Sequence, residues 1–455
     1  MGLVTFLFNS IDKVQTSLSN DSIIQYKEIR FMKVLCNHFF LILTIFLVVG
    51  CDRSVDEQNQ DFTWRTTEQR LGTHFNEVDT NHFKPPIVTQ LEFPIISEGS
   101  VLWGATGRDY FGHIYFGVST YSKNSDTAFL YQYSPQSNSL IKQSDVISQL
   151  KKAGLYSDGI SQNKLHSKFY QAADGYLYFT SFDEQGENSK KGILPVHGGH
   201  IWRKKTNDLD WEHILTTKEA LIAVNTDGRY VYALGYWGHV LYQYDTQTQV
   251  SNQIRVGAIN GHISRNFLVS QNGHVFVPKI ERSAKNQLIV NLNEYDSALN
   301  LVVSTPLEHY LYDNKHSKHG IVSYINMKNG DIYFVTAVGA LYKISQANNS
   351  KHQVSFEVFL SETIEEGGYF PSLFSINGEN FLVSFGRLPN SKHYSWLVYE
   401  TSTKTTATYD FKNYDNKILL YGSVTRDNFG NLYVVGVDQS NRSKHKPIIL
   451  KLSYD

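Results

Sequence analysis

His166, Tyr236 and Arg265 are the residues of this 455-residue chain whose types and placement could move protons and hold an anion. A histidine and a tyrosine can serve as proton acceptor and donor. An arginine is permanently charged and can grip a carboxylate through two parallel N–H bonds. Such a set suits elimination at a uronic acid, which needs a cation to neutralise the carboxylate and acidify the C5 proton, a base to remove that proton, and an acid for the leaving oxygen. The sequence leaves open which of His166 and Tyr236 is the base. Trp103, Trp237, Tyr369 and Tyr421 offer ring faces on which sugars could stack, while His200 and His239 could donate to hydroxyls or sulfates.

A repeat brings these residues to one end of the fold. Seven times the chain runs from a half-apolar segment through a tight glycine turn into an alternating strand with Tyr or Phe: FGHIYFG, DGYLYFT, DGRYVYA, NGHVFVP, NGDIYFV, NGENFLV and FGNLYVV. The turn glycines are Gly112, Gly175, Gly228, Gly273, Gly330, Gly378 and Gly430, and Asp-Gly or Asn-Gly fills five of the seven turns, the pairs expected of two-residue hairpins. Spacing near 50 residues, with about four short strands per repeat, predicts an all-β, seven-bladed propeller with four-stranded antiparallel blades. In blade two, His166–Gln171 is expected as inner strand A, Tyr176–Phe182 as B, His200–Arg203 as C and Trp211–Leu215 as D. The seventh repeat ends after its third strand, so residues 86–94 (PIVTQLEFP) are expected to supply the missing outer strand and close the ring. Nine residues before a turn glycine stand Trp103, His166, Ser264 (beside Arg265), Tyr369 and Tyr421. His197, Tyr236, Trp237, His239, His262 and His319 fall on the same rim.

Each of these residues also has a structural reading. A solitary His at a strand start is commonly a hydrogen-bonded framework group, Tyr236 and Trp237 could cap the core of blade three, and Arg265 could pair with a rim carboxylate. His197 and His200 (HGGH) suggest a metal, but no carboxylate or third His stands at ligand spacing in that segment, so no catalytic metal is expected. A structural ion stays an open alternative. The sequence has no Gly-rich phosphate loop, GxSxG elbow, HExxH or EF-hand string, which disfavours nucleotide, serine-hydrolase and zincin chemistry. Paired carboxylates for glycoside hydrolysis are not evident at the rim either.

Residues 33–51 read as a signal ending in a lipoprotein-like box, VVGC, with Cys51 the lipidation site, and residues 1–31 read as an over-long start. The expected organisation is therefore 1–51 leader and signal, 52–84 polar tether, and 85–455 propeller. That points to the cell envelope, with the protein lipid-anchored at the outer membrane or surface, or secreted. Cys36 and Cys51 are the two cysteines, so the mature domain has neither disulfide nor thiol nucleophile, and 27 Phe and 29 Tyr must supply its inter-blade packing. A net charge of −1 gives no general attraction to nucleic acid, and a monomer is expected.

The strings GRDYFGHIYFG, KLHSKFYQAADGYLYF, GGHIWR, YWGHVLYQYD and GHISRNFLV resemble those of the ulvan lyases, seven-bladed propeller polysaccharide lyases of families 24 and 25 from marine bacteria. The resemblance covers most of residues 95–455. It implies β-elimination in ulvan, a polymer of sulfated rhamnose and glucuronic or iduronic acid, and carries the family's rim residues onto His166, His200 and Arg265. Proton removal and leaving-group protonation need only His166 and Tyr236, so no cofactor is expected for catalysis. Two other readings stay open: a lyase for another polyuronate, and a non-catalytic lipoprotein propeller that binds glycans or scaffolds an assembly.

Overall fold

The computed structural model describes residues 84–92, 100–121, 125–188, 191–236, 240–257, 264–311, 320–348, 351–360, 368–415, 417–440 and 445–454. The expected leader, the Cys51 lipidation site and all but residue 84 of the tether lie outside them. Seven antiparallel sheets follow one another in chain order as the blades of a propeller. Blade two runs Tyr170–Gln171, Leu177–Phe182, Gly199–Lys204, Glu212–Thr217 from the axis outward. Blade seven runs Ile418–Arg426, Leu432–Asp438, Lys446–Ser453 and then Ile87–Gln90, taken from the other end of the described chain. That last strand pairs antiparallel from Ile87↔Ser453 to Gln90↔Leu450, covering an edge that would otherwise leave a row of backbone groups unpaired. Val88 packs on the core shared by blades six and seven, and Leu91 on that shared by blades seven and one.

The glycine turns differ from the two-residue hairpins that Asp-Gly and Asn-Gly suggest. The Gly273 N–H donates to the Ser270 carbonyl at 3.1 Å and the Ser270 N–H donates to the His274 carbonyl at 2.9 Å, an exchange repeated around Gly112, Gly175, Gly330 and Gly430. Each of the seven glycines has positive φ, and at Gly112, Gly175, Gly273, Gly330 and Gly430 the residue before it does not, whereas Asn377 before Gly378 does. These five are longer loops closed by a glycine bulge, so one left-handed residue suffices. The polar turn residues act through their side chains instead. Tyr115, Tyr178 and Tyr433, the tyrosines of the repeated strand, donate to Asp109, Asp174 and Asp427 at 3.1, 2.7 and 2.7 Å, fastening strand to turn.

A hydrogen bond crosses every blade boundary near the axis. Phe169 N–H reaches Thr106 O (3.0 Å), Thr180 Oγ1 reaches Leu221 O (3.2 Å) and Asn225 Nδ2 reaches Phe267 O (3.2 Å). Asn266 Nδ2 reaches Ile321 O (2.9 Å), Ser323 Oγ reaches Phe370 O (2.9 Å), Arg426 Nη2 reaches Ser375 Oγ (3.3 Å) and Arg108 Nη1 reaches Arg426 O (3.1 Å). Between these ties the blades bury continuous apolar clusters.

The inner strands are irregular at one end. Blade one's is split into Ser100–Val101 and Thr106–Arg108, blade seven's shifts register between Tyr421 and Thr425, and blade two's ladder holds only Tyr170–Gln171 of the expected His166–Gln171. Crowding at the axis is the physical reason. A Cβ on Gly104 would stand 2.7 Å from the Gly422 carbonyl oxygen, and one on Gly422 would stand 2.4 Å from that of Pro371. Backbones this close leave the regular pleat, and the released segments aim side chains at the axis.

Candidate functional site

Those irregular segments surround a cleft of about 380 Å³, counting its part open to solvent, to which all seven blades contribute. Trp103 and Gly104 come from blade one, His166 and Lys168 from the lead into blade two, and Ile222 from blade three. Arg265 and Asn266 lead into blade four, Val322 belongs to blade five, Tyr369 leads into blade six, and Tyr421 and Gly422 belong to blade seven. Five of the residues singled out in the sequence therefore converge: Trp103, His166, Arg265, Tyr369 and Tyr421.

Arg265 sits at the centre of this group. Its guanidinium carbon is 5.7 Å from the ring centres of both Trp103 and Tyr421, whose own centres are 4.6 Å apart in an edge-on arrangement. Neither Nε nor Nη1 finds a hydrogen-bond acceptor among the described residues, although both atoms are buried. The neighbouring backbone is held firmly, since Asn266 bridges to blade five and Ser264 Oγ accepts from the Ile321 N–H at 3.2 Å. The arginine is thus anchored at its main chain while aromatic faces cradle its head. His166 stands against the same indole, ring centres 5.4 Å apart, and against Phe182 at 4.8 Å. Burial raises the pKa of the Tyr369 and Tyr421 hydroxyls, with Arg265 pulling the other way.

Lys168 and Asn266 went unremarked in the sequence. Lys168, only 6% exposed, donates from Nζ to Asn266 Oδ1 at 2.9 Å and lies 5.1 Å from the Tyr324 ring. It stands two residues after His166, the alternation of an extended chain, and that was the available signal. Among the described residues the cleft wall therefore carries two basic side chains, one imidazole and three aromatic rings, and no carboxylate.

Tyr236 stands one ring away, its centre 5.8 Å from Phe182, which in turn touches His166. Its backbone N–H donates to the Ala220 carbonyl at 2.6 Å. Burial, then the carboxylates of Glu184 and Glu187, raise its hydroxyl pKa well above the usual tyrosine range, and Arg265 opposes them. This acidic pair is not among the rim residues expected from the sequence. Glu184 is paired with Lys164, and burial beside Glu184 lifts Glu187 to about 7. Both lie in the long insert after Phe182, which strand spacing alone could not place.

His200 does not line the cleft. It is 3% exposed, with Nδ1 3.1 Å from His213 Nε2 and 3.3 Å from Thr216 Oγ1, and its ring lies 5.7 Å from that of Trp202. Burial first, then His213 and His197, lower its pKa to about 3, so it is neutral at physiological pH. Trp237, His239, His262 and His319 fall outside the described residues. Another cluster could hold a metal, formed by His274, Glu294 and His352 at the far end of blade four from Arg265.

No protein-family model matches the chain, and no curated protein matches it. Among solved structures it is similar to the β-propeller domain of Myceliophteria thermophila Cps50 (Swd1), at 8% identity over 82% of this chain and 100% of that one, with TM-score 0.47. It is also similar to YCF48 bound to D1 peptide, at 10% identity over 83% and 97% of the two chains, with TM-score 0.47. The extracellular domain of the putative hybrid two component system BT4673 from B. thetaiotaomicron matches at 14% identity over 81% of this chain and 40% of that one, with TM-score 0.44.

Proposed function

We propose that this propeller is a polysaccharide lyase that cleaves ulvan by β-elimination at its uronate, working at the cell envelope or outside it. The cleft wall carries the reading: among the described residues, two basic side chains and three aromatic rings face an opening with no carboxylate on it, an environment suited to an anionic sugar. Arg265 binds the uronate carboxylate through its guanidinium, whose Nε and Nη1 have no acceptor among the described residues, withdrawing charge so that the C5 proton becomes acidic. Trp103 and Tyr421, which already flank the guanidinium, offer their remaining ring surface to the sugar.

The proton roles divide by environment. Tyr236 keeps its proton at neutral pH, because burial and Glu184 raise its pKa, and it therefore suits the acid that protonates the leaving oxygen. His166 is the base that takes the C5 proton. The C5–H electron pair becomes the C4–C5 double bond as the C4–O bond breaks, and the leaving sugar departs as an alcohol carrying the Tyr236 proton. The product is an oligosaccharide with an unsaturated uronate at its new non-reducing end.

The test is ultraviolet absorbance of that conjugated double bond over a panel of ulvan, polygalacturonate and glycosaminoglycans. A rise on ulvan is expected. A rise on another polyuronate alone would assign a different lyase. No rise on any substrate, with retained polysaccharide binding, would make the propeller a glycan-binding protein.

A further inference from the structure

We propose that His274, Glu294 and His352 form a binding site for a divalent transition metal, Zn²⁺ above all, that clamps the outer strand of blade five onto blade four. The sequence brings them together through strand register. His274 follows the turn glycine Gly273 and leads into Val275–Arg282, whose Phe276 pairs directly with Glu294 on Leu288–Tyr295. Because side chains alternate along a strand, His274, Phe276 and Glu294 share one face of blade four. His352, second residue of the outer strand Lys351–Phe359 of blade five, meets that face from the neighbouring blade.

The donor atoms converge on a point. His274 Nδ1 is 2.5 Å and His352 Nδ1 is 2.8 Å from the same oxygen, Glu294 Oε1, and the two imidazole centres are 5.1 Å apart. The other carboxylate oxygen faces the His352 backbone N–H at 3.4 Å, leaving Oε1 toward the rings. The surroundings fix their orientation: the Phe276 ring meets the His352 imidazole edge-on at 5.1 Å, and the His274 N–H donates to Ser270 Oγ at 3.0 Å. Glu294 is 2% and His352 9% exposed, whereas His274 is partly open, which gives an ion a way in and a water the fourth position.

Charge and ligand type favour a metal over a bare hydrogen-bonded triad. Among the described residues no Lys or Arg pairs with Glu294, so its buried carboxylate faces two imidazoles that bring no charge when neutral. A dication supplies that charge. Two imidazole nitrogens and one carboxylate oxygen suit Zn²⁺, whereas Ca²⁺ and Mg²⁺ favour all-oxygen sites. Ligands about 2.0–2.2 Å from zinc stand roughly 3.3 Å from one another in a tetrahedron, so each N···Oε1 separation needs to lengthen by less than about 1 Å to admit the ion, all three donor atoms already lying within 4.8 Å of one another. The cluster lies at the far end of blade four from Arg265, so the proposal is independent of the lyase reading.

The test uses the full chain without a histidine tag, grown with supplemented zinc and dialysed before metal analysis. About one zinc per chain is expected, with Tm falling by several degrees under a strong chelator and recovering when Zn²⁺ alone is added. His352→Gln and the less buried His274→Asn should each weaken Zn²⁺ binding at least tenfold, an effect on the order of losing a metal-site partner, and should abolish the chelator response. Folded protein with little zinc and no Tm response to added Zn²⁺ would overturn the proposal in favour of shared protons. Full zinc content in both folded variants would overturn it by placing the metal elsewhere.

Discussion

Replacing His200 by glutamine should flatten the acid side of the stability profile. Burial beside His213 and His197 lowers the His200 pKa from 6.5 to about 3 in the folded protein. Between those values the unfolded chain binds a proton that the folded one refuses. Stability therefore rises with pH through this window and is lost on acidification below about pH 6.5, at up to roughly 1.4 kcal/mol per unit. At pH 5, about one and a half units below the unfolded value, the loss from this residue is about 2 kcal/mol relative to neutral pH. Glutamine can keep a hydrogen bond toward Thr216 and His213 but does not titrate. Glu187 and Asp227, raised to about 7 and about 6 chiefly by burial, act with the opposite sign: they hold protons better when folded and lose that stabilisation as pH rises. The difference between wild type and variant isolates His200. Urea unfolding at pH 7 and pH 5 would measure it, and parallel pH dependence in the two proteins would refute the reasoning.

Other outcomes follow from the cleft and the ring closure. Arg265→Ala should lower turnover on ulvan by a factor on the order of 10²–10³, the scale for losing a transition-state charge partner, while costing about 1–2 kcal/mol of stability through its two ring contacts. Near-normal turnover would move the neutralising role to Lys168. His166→Ala and Tyr236→Phe should each cut elimination by at least about a hundredfold with polysaccharide binding retained; full activity in Tyr236→Phe would remove it as the acid. Starting the chain at residue 81 should leave chemical unfolding unchanged. Starting it at residue 93 should cost roughly 3–6 kcal/mol, from the ladder bonds of Ile87–Gln90 and the half-buried Val88 and Leu91. Equal stability of the two truncations would refute closure by this strand.

The fold was legible because a propeller writes its architecture locally. The seven glycines mark where each inner strand turns, and a blade that ends after Lys446–Ser453 calls for one more strand. Turn geometry was less legible, since Asp-Gly and Asn-Gly serve both two-residue hairpins and the longer bulged loops observed. Counting nine residues back from a turn reached Trp103, His166, Tyr369 and Tyr421, and Arg265 through its neighbour Ser264, because in these blades the chain takes the same number of residues to run from the cleft to the turn, however much of that run forms a regular ladder.

The sequence by itself determined the blade number, the closing strand and the end of the ring at which these five residues gather, all of which depend on period and strand direction. Tertiary structure alone decided which residues share the cleft. His200 opens a third strand as regularly as His166 precedes a first, yet strands farther from the axis pack against neighbours, so its ring is buried beside His213 and Trp202. Glu184 and Glu187 reach Tyr236 through an insert that follows no repeat. His274, Glu294 and His352 meet although 20 and 58 residues separate the contacting pairs, because two blades press together there. Period fixes where a strand begins, whereas inter-blade packing fixes what its side chains meet.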